Sequence, residues 1–222
     1  MKRTLEPALM EDEEQVKAYA EADFEEPHSH FIHLFEEDFS GRVIRGYALD
    51  LGCGPGDITF RFAEAFPECA VHAVDGSQTM LQYARNRLNR NTTIEKHIRF
   101  FEGMLPDLRL PRLHYDYLIS NSLLHHLPDP GVLWSVIKQF SARDSGVFIM
   151  DLMRPENTWI AKRMVESHAA NEPTVLRRDF YNSLLAAFTL EEISAQLRDH
   201  QLDYLSLKPV SDRHLTISGG IR

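Results

Sequence analysis

The stretch Ala48-Leu49-Asp50-Leu51-Gly52-Cys53-Gly54-Pro55-Gly56-Asp57 decides the reading of this chain. A short strand-like run enters a turn with glycine at alternate positions, and a helical pattern follows. Glycine is needed where the backbone turns sharply and a ligand comes close, because a Cβ would obstruct both. The helix after such a turn aims its free N–H groups at the same space and favours an anionic group there by about 0.3–1 kcal/mol. Spacing separates this loop from two others. A dinucleotide fingerprint reads G-x-G-x-x-G, which would require glycine at position 57, where Asp57 stands. A phosphate-binding loop ends in Gly-Lys-Ser/Thr, which this one does not.

Outward from the loop, short apolar runs alternate with helical periods. Strands are expected at 47–51, 70–75, 98–102, 115–120, 146–152, 202–208 and 214–218, and helices near 57–67, 77–89, 130–142, 157–170 and 189–200. Strands alternating with helices of this length predict a mostly parallel sheet covered on both faces. The last two strands are joined by the short Pro209-Val-Ser-Asp-Arg213 connection, with no helix between them, and should pair antiparallel. Residues 10–24 and 27–38 read as two further helices, in an N-terminal segment of residues 1–40 that precedes the sheet domain of 41–222. A helical insertion is expected at about 155–188.

Three other motifs agree in order and spacing with the first. Val71-His-Ala-Val-Asp75-Gly76-Ser77 is an apolar strand ending in an acid, and a carboxylate there can accept both hydroxyls of a ribose. Ser77 is placed to cap the helix beginning at Gln78. Next come Phe100-Phe-Glu-Gly103-Met104 and Tyr115-Asp-Tyr-Leu-Ile-Ser120-Asn121-Ser122-Leu-Leu-His125-His126-Leu-Pro-Asp129-Pro130. Together these resemble the motifs of the class I S-adenosylmethionine (SAM)-dependent methyltransferases, and the resemblance runs from about residue 40 to the C-terminus.

The resemblance implies a Rossmann-like α/β sheet of seven strands in the order 3-2-1-4-5-7-6, the last antiparallel, with SAM as cosubstrate. It implies cofactor-binding roles for Asp50, Gly52 and Gly54 in the loop, for Asp75, Gly76 and Ser77 at the ribose, and for Gly103 and Met104 at the adenine. It also implies that the backbone around Ser120 and Asn121 holds the methionine amino group. The family usually has Asp where Met104 stands, so adenine would be held by backbone amides and apolar packing. Tyr19, on the first helix, is the candidate contact to the methionine end, because relatives often close the pocket with an N-terminal lid.

Methyl transfer from a sulfonium is an in-line displacement in which alignment alone can supply on the order of 7–11 kcal/mol. A base is optional, so the sequence specifies the donor better than the acceptor. His125 and His126 follow the fourth strand and are the candidate bases. His126 is favoured as the structural member of the pair, and periodicity does not place His125. Arg154, Asp179, Tyr181 and Asn182, in and around the insertion, are the substrate candidates. The spacing of His28, His30 and His33 could share an ion, but no acidic or sulfur partner is fixed by the sequence, and no metal is expected.

Composition bounds the rest. The chain has 222 residues and a net charge of −9, and residues 1–40 hold twelve acids against three basic residues, which accounts for all of it. The remaining body is neutral, with no electrostatic footprint for nucleic acid, and an acidic lid disfavours a polyanionic acceptor. No run approaches a membrane span of roughly 20 apolar residues, and the start lacks a signal-peptide core. With two cysteines, Cys53 and Cys69, expected as reduced thiols, the chain reads as a cytoplasmic monomer or homodimer acting on a small molecule. The alternatives are a SAM-binding regulatory or partner-binding protein without transfer activity, a nicotinamide-dependent oxidoreductase, which Asp57 argues against, and a protein or nucleic-acid methyltransferase.

Overall fold

The computed structural model describes residues 1–6, 12–90 and 94–222. Two helices lead the chain, α1 (Glu13–Glu21) and α2 (Glu25–Asp38). Of the first expected helix, residues 10 and 11 lie outside the described residues. The sheet is then built from β1 (Gly46–Leu51), β2 (Cys69–Asp75), β3 (Ile98–Glu102), β4 (Tyr115–Asn121), β5 (Ser141–Leu152), β6 (Ser206–Pro209) and β7 (His214–Gly220). The intervening helices are α3 (Asp57–Ala65), α4 (Gln78–Leu88), α5 (Gly131–Phe140), α6 (Thr158–His168), α7 (Thr174–Ala186) and α8 (Leu190–Asp199).

The strand order is β3-β2-β1-β4-β5-β7-β6. The first five strands are parallel, and β7 runs antiparallel to both β5 and β6. The order reverses between β1 and β4, so the crevice at their carboxyl ends is the place where an open α/β sheet binds ligands.

Successive strand residues point to opposite faces, and the core divides accordingly. Leu49, Leu51, Leu118, Val147 and Ile149 pack with Trp134, Ile137, Ile193 and Leu197 of α5 and α8. Ala48, Tyr117, Ile119, Phe148 and Met150 pack on the other face with α2 and α3. Phe35 of α2 is fully buried there, with ring centroids 4.9 Å from Phe62 and 5.6 Å from Phe148. Truncating such a ring costs about 3–5 kcal/mol, so α2 is bound into the core rather than resting on its surface.

Caps explain several helix starts. Asp12 accepts from the Gln15 amide at 2.9 Å, Ser77 from that of Met80 at 3.2 Å as the sequence predicts, and Asn157 from that of Ile160 at 3.0 Å. Thr189 and Glu192 form a reciprocal capping box on α8.

Three elements differ from expectation. The sixth strand occupies Ser206–Pro209 rather than 202–208, because Leu202 and Leu205 are core plugs in the turn closing α8. β5 begins at Ser141, five residues early, because α5 stops at Phe140 and the chain pairs with Tyr115 ahead of an irregularity in the ladder. The polar and aromatic run from Arg178 to Ser183 is helical, forming the second half of α7. Leu176, Phe180 and Leu184 recur at four-residue intervals and supply its inward face.

Candidate active site

A cavity of about 1130 Å³ lies at the carboxyl ends of β1, β2 and β4. It exceeds the roughly 300–1,000 Å³ of a pocket for one drug-sized ligand, which leaves room for two molecules side by side. Its base is the loop after β1, its sides are the ends of β2, β3 and β4, and its roof is the α1–α2 junction with Tyr19, Phe24 and His28.

Two glycines in the loop are needed for definite reasons. Gly52 has φ 72°, and a Cβ there would sit 2.7 Å from a methyl carbon of Leu123. Gly54 has φ 52° and nothing within 4 Å of the position a Cβ would take, so the backbone is bare toward the cavity. The Gly54 amide donates to Asp75 Oδ2 at 2.8 Å, and the Ser77 amide donates to Oδ1 at 2.7 Å. Each Asp75 oxygen keeps a lone pair for a ligand hydroxyl. Burial raises the Asp75 carboxyl above its ordinary value against the pull of those amides.

Asp50, one strand in, is fully buried and accepts from the Thr59 hydroxyl at 2.6 Å. Burial pushes its carboxyl up to about 7, and it too borders the cavity. Gly76, Gly103, Asn121 and Met104 complete the same wall, and Met104 is 54% exposed. Ser122, next to Asn121, is held in the left-handed region at φ 56°, with its amide donating to Met150 O at 2.9 Å. A non-glycine residue in that region is uncommon and concentrates at functional sites.

On the roof, the Tyr19 ring lies 4.8 Å from that of Phe24. Burial, reinforced by Asp57, Asp75, Asp151 and Glu6, pushes the Tyr19 phenol up to about 12, so it remains a neutral donor at physiological pH. Asp57 joins the roof to the base. Its carboxylate meets His28 Nδ1, Arg61 Nε and Arg87 Nη1, each at 2.7 Å, linking α2, α3 and α4. Burial opposes its ionisation, but those three partners hold it well below the usual carboxylate range.

The two histidines occupy a 3₁₀ turn, Leu124–His126, and their positions reverse the sequence expectation. His125 is the structural one. It is 2% exposed, with Nδ1 2.5 Å from Asp151 Oδ1. Asp151 also accepts the amides of Leu124 at 2.7 Å and Leu152 at 2.6 Å. His126 borders the cavity, with its side chain 40% exposed and its Nδ1 2.5 Å from Glu6 Oε2. Helical periodicity could not separate the two, because the turn is too short to have a periodic face.

Of the substrate candidates, Arg154, Asp179, Tyr181 and Asn182, none is among the described residues lining the cavity. Arg154 is buried against Glu192 and donates to Ala187 O at 3.1 Å. Asp179 accepts from Gln15 Nε2 at 2.7 Å and so ties α7 to α1. Tyr181 packs beside the cluster of Leu152, Ala161 and Leu184, and Asn182 stands on α7. The His28, His30 and His33 set does not converge, since His28 serves Asp57 and His33 pairs with Glu37 at 3.2 Å. Glu6 was not singled out from the sequence, and Ser122 was read only as part of the motif at the carboxyl edge of the sheet, with no role of its own. Glu6 lies far from His126 in the chain and carries no local signal, whereas the left-handed backbone of Ser122 has no mark in the sequence.

The strand order, the glycine loop and the strand-end acid facing one cavity have the architecture of the class I SAM-dependent methyltransferases. Residues 48–142 match the family model described as a methyltransferase domain. An uncharacterized methyltransferase of Schizosaccharomyces pombe is 36% identical over 86 residues, covering 37% of this chain and 31% of its own length. A trans-aconitate 2-methyltransferase of Azoarcus sp. is 32% identical over 108 residues, covering 48% of this chain and 38% of its own length. The chain thus spans about a third of the length of these curated relatives. In fold it matches a SAM-dependent methyltransferase from Aquifex aeolicus with a TM-score of 0.68 at 15% identity, over 96% of this chain and 100% of that one.

Proposed function

We propose that the protein is a methyltransferase that takes its methyl group from SAM and passes it to a small-molecule acceptor. One observation carries this reading: the bare backbone at Gly54, the carboxylate of Asp75 and the end of β4 at Asn121 and Ser122 converge on a single cavity large enough for two ligands.

The residues present fit the cosubstrate. Gly52 and Gly54 would let the nucleoside approach, Asp75, with Gly76 and Ser77 beside it, would accept its ribose hydroxyls, and Gly103 and Met104 would enclose the adenine. The ammonium and carboxylate of the methionine end would meet Asp50, Asn121 and Tyr19. Bound there, the sulfonium supplies an electrophilic methyl group. What the chain itself does is hold the acceptor atom in line and keep water out, which is where most of the rate arises. Residues 1–40 act as a lid on the sheet domain of 41–222, with α2 held over the cavity by Asp57 and Phe35 and α1 tied to α7 through Gln15 and Asp179.

Acceptors in this reading are small molecules, as for the relative named for trans-aconitate. No helix among the described residues is long and apolar enough to cross a membrane, and Cys53 and Cys69 are free thiols. Reduced thiols fit a cytoplasmic setting, and the neutral charge of residues 41–222 fits a protein without a nucleic-acid partner, acting as a monomer or homodimer.

Titration calorimetry with S-adenosylhomocysteine tests the cosubstrate, and tritiated SAM incubated with a metabolite extract tests the transfer. Absence of binding overturns the reading. Binding without any labelled product would favour a SAM-binding regulatory protein instead.

A further inference from the structure

The first residues of the chain reach the turn that carries His126 in two places. Arg3 Nη2 donates to the carbonyls of His125 and Leu127, at 2.8 and 2.9 Å, one on each side of His126. Its Nε donates to Ala186 O at 2.6 Å, and its guanidinium lies 3.8 Å from the centre of the Phe188 ring. The Thr4 amide adds a bond to Leu185 O at 3.0 Å. Three residues after Arg3, Glu6 places one carboxylate oxygen 2.5 Å from His126 Nδ1 while the other accepts from Ser183 Oγ at 2.5 Å. The segment therefore fixes both the backbone and the imidazole of a single residue, and that residue borders the cavity.

Resting on the methyltransferase reading, we infer that Glu6 is a positioning residue that holds His126 as the Nδ1–H tautomer, and that His126 Nε2 is the base that takes the acceptor's proton. A carboxylate on one imidazole nitrogen fixes which nitrogen carries the proton and leaves the lone pair on the other. Both oxygens of Glu6 are engaged, so its own orientation is set by Ser183 on α7. His125 does not serve this role, because its Nδ1 is committed to Asp151 and its ring is buried. In the transfer the methyl carbon leaves sulfur, which keeps the bonding pair, and bonds to the acceptor atom. The proton of that atom passes to His126 Nε2 and on to solvent. An acceptor that keeps a proton at neutral pH, such as a hydroxyl, phenol or amide-like nitrogen, is the class that needs such a base.

The test has one readout that needs no acceptor. ¹⁵N-histidine spectra of the full chain at alkaline pH, with the His126 signals assigned by their loss in His126→Gln, should show the Nδ1–H tautomer in the wild type. Glu6→Ala should release it toward Nε2–H, while Glu6→Gln, whose amide oxygen still accepts, should retain it. General-base catalysis is worth about 10²–10⁴-fold. In labelling from tritiated SAM and a metabolite extract, His126→Gln should lose a factor of that size and Glu6→Ala at least about tenfold, with S-adenosylhomocysteine affinity held within about twofold. Ser183→Ala, which removes only the hydroxyl that Glu6 accepts from, should give a smaller loss and guards against a misfolded Glu6→Ala. An unchanged tautomer in Glu6→Ala, or full transfer by His126→Gln, overturns the inference. Failure of the wild type to bind S-adenosylhomocysteine sinks the functional reading instead, and the tautomer still decides the Glu6–His126 relationship.

Discussion

Asp75, at the end of β2, accepts the backbone amide of Gly54 at 2.8 Å, so the proposed ribose acceptor also braces the loop that would receive the nucleoside. Removing the side chain therefore costs binding twice, by losing the acceptor and by loosening the loop. A hydrogen bond to a charged group contributes about 1.5–3 kcal/mol, so Asp75→Ala should weaken S-adenosylhomocysteine binding at least about tenfold by calorimetry. Asp75→Asn, which keeps one acceptor oxygen, should lose less. An unchanged dissociation constant for the alanine variant would remove Asp75 from the site.

Asp50 makes a prediction with the opposite sign to most acids. Its folded value, about 7 against an ordinary 3.8, is raised by burial, so the folded state holds the proton more tightly than the unfolded one. Stability is therefore lost as pH rises between those values. At about 1.4 kcal/mol per pH unit, the ceiling is roughly 4 kcal/mol. Asp50→Asn keeps an oxygen for the Thr59 hydroxyl and carries no charge, so it should raise Tm at pH 8 and leave it nearly unchanged at pH 4. Equal shifts at both pH values would contradict the buried-charge account.

Asp57 behaves as a depressed acid. Its partners His28, Arg61 and Arg87 stabilise the carboxylate in the folded state. The contribution is present above the unfolded value near 3.8 and disappears as pH falls toward the folded one. Asp57→Asn should cost about 1.5–3 kcal/mol in urea unfolding at pH 7 and progressively less below pH 4. It should also raise proteolytic cleavage in α2, because the carboxylate ties His28 of that helix to the start of α3. A variant with wild-type stability at pH 7 would show that the Phe35 cluster and the Arg61 contacts to Glu25 and Ser29 are enough to hold α2.

The legible parts of this protein were those set by local pattern. The alternation of strands and helices, the glycine turn, the acid at Asp75 and the cap at Ser77 each rest on a few neighbouring residues, and the structure has them where the sequence puts them, whereas the sheet order came from the family resemblance. What escaped depends on distant pairings. Asp57 was legible as a departure from a dinucleotide loop, but its ties to α2 and α4 were not, because Arg87 and His28 are brought to it only by folding. The helical insertion of about 155–188 was legible, but α7 was not separable within it, because Arg177, Arg178, Asp179 and Asn182 dilute its apolar face and Pro173 gives no side-chain cap. His125 and His126 are adjacent in sequence yet have opposite surroundings, a distinction made by Asp151 near the end of β5 and by Glu6 near the N-terminus.

The His125–Asp151 pair should anchor the turn beneath the cavity at a measurable cost. Burial opposes both charges, yet Asp151 raises the His125 imidazole and His125 lowers the Asp151 carboxyl from their ordinary values. The imidazole's contribution is full below its unfolded value near 6.5 and is lost as pH rises through the raised folded one. The carboxyl's contribution is full above about 3.8 and is lost as pH falls. The pair is thus strongest between about pH 4 and 6.5. Removing one partner of a buried pair leaves the other uncompensated and costs about 3–5 kcal/mol. Asp151→Ala should therefore lose that much in urea unfolding at pH 6, and the double variant with His125→Ala should lose clearly less than the two single losses combined. Strict additivity would mean that each side chain acts through its own packing, and that the turn carrying His126 is held by the Arg3 bonds instead.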